Sequence, residues 1–288
     1  MPITGALRPV MTRSTSFRQG FTLVEVLVVV AMVGVLLGIL LVTLGTAQDS
    51  AKTATDLSNQ SQIIKANLNF SVDNKGRLLH PRTLFDPNEP NLNADANNRM
   101  WVRDSETGQI PDAPTGIEAL QAGAAWEYIG NENSYRSPLD PTLRKRSYSL
   151  NSLVGVNNGA DDYSGYTQNP PPNLGVNYLP CPTLSRIPQP ARTMGCITEQ
   201  DVDYANNWNG FLVHTGLPNV NIPQWADAPA WNWNPGRVTI GFMDGHTEVY
   251  RLSDYENLSE AVQNHNVIYD GPDYQYFRSI MLPGRIEY

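Results

Sequence analysis

From Phe21 to Leu44 the chain is almost wholly apolar, and Glu25 is the only charged side chain in the run. At 1.5 Å per residue such a stretch is long enough to cross the hydrocarbon core of a bilayer. Beyond it, Ala47, Ala51, Ala54, Leu57, Ile64 and Leu68 recur at mostly helical spacing among polar residues, and no proline falls between Pro9 and Pro81. The pattern predicts one continuous helix from about Phe21 to Phe70, roughly 75 Å long. Its first half is apolar all round and suited to lipid; its second half is amphipathic and suited to packing on a globular domain. Gly34, Gly38 and Gly45 are its only candidate kink points, and the Gly34–Gly38 pair would also let neighbouring helices approach closely.

After this helix the period changes. Asp73-Asn-Lys-Gly76 predicts a turn, residues 81–114 read as loop, and Ile117–Ala125 reads as a short helix leading into Trp126. Strands are predicted at Ser147–Val156, Arg192–Thr198, Val238–Met243 and His246–Leu252. The last two flank Asp244-Gly245, which predicts a hairpin with a type I′ turn. Asn157–Pro190 contains three consecutive prolines, Pro170 to Pro172, which a central strand does not accept. A helix is expected at Asp254–Asn264. The fold class is therefore α+β: a long amino-terminal helix packed on an antiparallel sheet with large loop insertions.

Charge divides the chain further. Residues 1–20 carry Arg8, Arg13 and Arg18 and no acid, so losing them would take the formal charge from −8 to −11, three lower. A basic flank is retained on the cytoplasmic side, which places the amino end inside and the bulk outside. The remaining acidity argues against a nucleic-acid surface, because phosphate binding needs clustered Lys and Arg and the only compact cluster is Arg144-Lys145-Arg146. The organisation expected is a basic leader (1–20), a membrane helix (21–44), an amphipathic half-helix (45–70) and an exported β-rich head (71–288).

An acid inside a membrane segment costs about 2.5–3.5 kcal/mol on insertion scales, so Glu25 reads as functional. A plain anchor leaves Gly20-Phe21 and Glu25 without a purpose. A secretory signal cut after Gly45-Thr46-Ala47 would need a shorter apolar core and no acid. Gly20-Phe-Thr-Leu-Val-Glu25 resembles the processing site of type IV prepilins and type II secretion pseudopilins. The resemblance implies cleavage by a prepilin peptidase between Gly20 and Phe21 and methylation of the Phe21 amine. It further implies assembly with other pilin or pseudopilin subunits on an inner-membrane platform in contact with lipid, with Glu25 pairing to a neighbour's amine.

The exported part resembles a large family of prepilin-like proteins whose end is marked by His, nine residues, then Asp-Gly. The pieces that carry this are Asp73-Asn-Lys-Gly-Arg, Ser137-Pro-Leu-Asp, Arg146-Ser-Tyr-Ser-Leu-Asn, Ile187-Pro-Gln-Pro-Ala-Arg-Thr and Gly241-Phe-Met-Asp-Gly-His. Asn234 stands where that family has its His.

Candidate chemistry is sparse. No nucleophile elbow, zinc-protease motif or phosphate-binding loop is present, so a structural subunit rather than an enzyme is expected, with no cofactor required. Asp161, Asp162, Asp201 and Asp203 supply oxygen ligands on expected loops and are the calcium candidates, though neither pair follows EF-hand order. Trp225, Trp231 and Trp233, with Tyr204 and Trp208, would suit either a sugar- or peptide-binding surface or the pinning of an insertion to the domain. The binding option defines an alternative function, a membrane-anchored ligand-binding domain that uses the same export route. Cys181 and Cys196 would face an oxidising compartment, as a disulfide or as two free thiols. His246 beside Asp244 reads as a strand residue following a turn.

Overall fold

The computed structural model describes residues 20–83, 98–103, 116–142, 144–156, 181–200, 210–213, 225, 227–253, 271–281 and 283–284. The chain divides into two units, residues 1–49 and 50–288. Helix α1 runs over Leu23–Asp73. In the first unit its side chains, from Leu23 to Leu44, are exposed apolar groups apart from Glu25 and Thr43, and none of the described residues covers them. In the second unit the same helix buries Ile63, Ile64, Ala66 and Phe70. It closes on the expected turn: the Gly76 N–H donates to Ser71 O at 2.7 Å, with Lys75 at φ 57° and Gly76 at φ 83°. This is the left-handed C-cap by which helices satisfy their last carbonyls.

The head is built on a five-stranded antiparallel sheet of β1 (Tyr148–Leu150), β2 (Met194–Gln200), β3 (Ala228–Pro229), β4 (Arg237–Phe242) and β5 (Thr247–Arg251). The order is β1-β2-β4-β5, with β3 pairing to the end of β2. Directly paired residues share a face. Thr239 and Gly241 lie on the face touched by α1, where Gln60 reaches Thr239. Val238, Ile240, Glu248 and Tyr250 lie on the other face, covered by the helix Pro272–Met281. Two glycines admit α1. A methyl at Gly195 would sit 2.2 Å from Ile64 Cδ1, and one at Gly241 would sit 2.9 Å from Cys196 Sγ and 3.3 Å from Gln60 Oε1.

Several expectations shift in detail. The strand expected at Ser147–Val156 stops at Leu150, because the Asn151 side chain donates to the carbonyls of Met194 and Met281 and accepts from the Leu153 N–H, turning the chain. The helix expected over Ile117–Ala125 splits into α2 (Ile117–Gln121) and α3 (Trp126–Ile129), since the Ala124 and Ala125 N–H groups donate to the carbonyls of Met100 and Trp101. The β4–β5 hairpin forms where expected but not with a type I′ turn. Only Gly245 has positive φ, at 96°, while Gly245 N–H donates to Phe242 O and Phe242 N–H to His246 O. That is a three-residue loop with a glycine bulge. Met243 is drawn into the core with its N–H on Thr193 O, so the turn is shaped around it. Helix α4 (Pro272–Met281) was not expected; the helix expected at 254–264 lies outside the described residues.

Candidate processing and assembly segment

Gly20 and Phe21 precede the helix and are exposed, Phe21 at 86 %. Thr22 is the N-cap of α1 and Glu25 its third residue. The Thr22 N–H and Oγ1 donate to Glu25 Oε2 at 2.8 and 2.9 Å, and the Glu25 N–H donates to Thr22 Oγ1 at 3.2 Å. This reciprocal arrangement is a capping box, which satisfies two of the donors that a helix start leaves open. Phe21 and Val26 occupy the flanking apolar positions of the same motif, and the first helical bond runs from Val26 N–H to Thr22 O at 3.2 Å. The Glu25 charge also sits at the positive end of the helix dipole. The acid is therefore engaged in capping its own helix. Thr22 was not singled out from sequence, although Thr-x-x-Glu ahead of an apolar run carries the signal.

The other candidate residues are placed unevenly. Asp161, Asp162, Asp201, Asp203, Tyr204 and Trp208 lie outside the described residues. Among the described residues, no three His, Cys, Asp or Glu side chains gather as a metal site. Cys181 and Cys196 are free thiols, not bonded to each other, and both are buried. The Cys181 thiol donates to Arg186 O at 3.0 Å, whereas Cys196 Sγ lies 3.7 and 3.8 Å from Gln60 O and Oε1, beneath α1. Burial pushes the Cys196 thiol well above its usual range.

Trp225 is enclosed, with its ring 5.3 Å from Phe277 and 6.0 Å from Tyr274. Trp231 packs partly against the same core, and Trp233 lies under the Arg144 guanidinium at 5.1 Å. These three rings fasten their segment to the head, as a chain poor in aliphatic residues requires. The His246 ring stacks on Phe242 at 4.4 Å, and its Nδ1 lies 2.5 Å from Asp244 Oδ1 at the hairpin tip.

Residues 15–41 match the prokaryotic N-terminal methylation motif. This span contains Gly20, Phe21, Thr22 and Glu25 and most of the exposed apolar helix. The motif and the helix together support a membrane-anchored prepilin-type protein, pilin-like or pseudopilin-like in class. No curated protein and no solved structure matches the chain.

Proposed function

We propose that the protein is a structural subunit of a type IV pilus or a type II secretion pseudopilus. A prepilin peptidase cuts it between Gly20 and Phe21, and the new Phe21 amine is methylated. The methylation motif over residues 15–41 carries this reading, because its cleavable Gly-Phe falls immediately ahead of the Thr22–Glu25 cap. After cleavage the amine of one subunit and Glu25 of another are opposite charges at a lipid boundary. Their attraction is stronger there than in water, which favours packed helices over isolated ones. The head is the exported part, with the basic leader on the cytoplasmic side. Its resemblance to large-headed prepilin-like proteins belongs to the same reading.

The deciding experiment is intact mass and N-terminal sequencing of the protein from native membranes. A chain beginning at methylated Phe21 is expected. One that retains Met1, or begins at Gln48, would overturn the assignment.

A further inference from the structure

The head-docked part of α1 is held in two different ways along its length. From Ile63 to Phe70 it buries Ile63, Ile64, Ala66 and Phe70, together with one polar side chain, Asn67, which accepts from the Leu79 N–H at 2.8 Å. Ahead of Ile63 every fully buried α1 side chain is polar: Asp56, Asn59 and Gln60. Asp56 accepts from Tyr148 on β1 at 2.6 Å, from Thr239 on β4, and from Ser137. Asn59 donates to Asn133 O and Arg136 O at 3.2 and 3.1 Å. Gln60 donates to Thr239 O and Oγ1 at 3.0 and 2.7 Å, and Ser61 to Gly245 O at 3.1 Å. Asn234 reaches Thr53 Oγ1 at 3.4 Å.

Hydrogen bonds of this kind exchange for bonds to water on opening, so each adds far less net stability than its geometry suggests. Buried apolar surface has no such substitute. The two stretches therefore differ in how readily they come off the sheet.

We propose that residues 53–62 of α1 form a strap that lifts from the sheet while Ile63–Phe70 stay docked, and that Asp56 makes the lifting pH-dependent. The groups facing Asp56 are Tyr148 from β1, Cys196 from β2, the neutral Thr239 from β4, the neutral Ser137, and Asp140, which is itself paired to Arg144 at 3.0 Å. Burial, then the negative charge of Asp140, raises the Asp56 carboxyl above its usual range against the opposing hydrogen bonds. A group raised in the closed form stabilises closure fully below its ordinary pKa, and loses that contribution as pH rises through the closed-state value. The strap accordingly lifts more readily as pH rises. The inference rests on the head alone and does not depend on processing at Gly20.

Cys196 lies under the strap and is fully buried, so its alkylation reports the opening. The experiment uses the full chain in detergent. Iodoacetamide labelling of Cys196 is read by peptide mass spectrometry and divided by the rate in the unfolded chain at the same pH. Global unfolding in urea is followed alongside. Cys196 is expected to label through an opening with a smaller urea slope than global unfolding, and its protection should fall by up to tenfold per pH unit within the linkage window. Labelling that tracks global unfolding in both size and slope would overturn the strap. Asp56→Asn should flatten the pH course, and a retained course would remove Asp56 from the device. Tyr148→Phe, which keeps the acid and deletes one donor, should raise Cys196 labelling above wild type; an unchanged rate also counts against the proposal.

Discussion

Glu25 caps its helix, and the pairing role proposed for its charge can be separated from that cap by one substitution. Its carboxylate caps the helix through Thr22, and its charge is what an incoming amine would meet. Glu25→Gln keeps an acceptor for the Thr22 N–H and removes the charge, so the cap survives and the pairing does not. Cleavage at Gly20 is expected to persist in Glu25→Gln while filament yield falls, read by immunoblot of sheared filaments against membranes. Wild-type yield would remove the pairing role. Thr22→Val makes the opposite cut, since it costs roughly 1 kcal/mol of capping and leaves the charge in place. At this scale the Gly20–Glu25 segment was legible because its signal is local, a Gly-Phe bond and an acid in an apolar run, whereas the part played by Thr22 emerged only with the cap geometry. The aromatic candidates were legible only as a choice between a binding surface and pinning of the insertion, and the fold supplies the partners, placing Trp225 against Phe277 and Tyr274.

Among the elements, α1, β2, β4 and β5 follow their periods to within a few residues, because helical and alternating patterns persist long enough to read. Two further elements have no counterpart in the expected pattern. Strand β3 is two residues long and exists only because Glu199 and Gln200 present an edge to Pro229 and Ala228. Helix α4 carries its own sequence signal, with Pro272 at its start, Asp273 in the first turn, then Tyr274, Phe277, Ile280 and Met281 along one face. Asp273 also ties the helix start to the sheet, accepting from the Ser253 N–H and from Tyr250 OH at 2.9 and 2.8 Å. Phe277 is the centre of this contact, touching Phe211, Trp225, Tyr250 and Tyr276. Phe277→Ala is expected to cost about 3–5 kcal/mol, measured by urea unfolding of the full chain. A loss below 1 kcal/mol would mean that α4 is not part of the cooperative core.

For the whole molecule, two raised carboxyls, the buried Asp56 and the half-buried Asp227, bear on the response to pH. Asp56 is raised by burial, and Asp227 is raised by desolvation and then by the negative charge of Glu199. Both contribute stability below the ordinary aspartate range and lose it as pH rises through their folded values. Asp244 runs the other way, held low by His246, but its side chain is 38 % exposed and its contribution is small. The urea midpoint is therefore expected to fall as pH rises above the ordinary aspartate range, with Asp227→Asn flattening part of that slope. A midpoint that holds or rises with pH there would contradict the placement of these carboxyls.

The sequence by itself determined the apolar run with its methylation motif, the long helix and the β-rich head, because each is written in short-range periodicity or in adjacent residues. Only the tertiary structure decided that Asp56 and Gln60 lie inside on Thr239, that Cys181 and Cys196 are separate thiols, and that α4 closes the second face of the sheet. Those facts rest on contacts between residues far apart in the chain, such as the 179 positions between Gln60 and Thr239. Local pattern carries no information about which distant groups will meet once both faces of a sheet are covered.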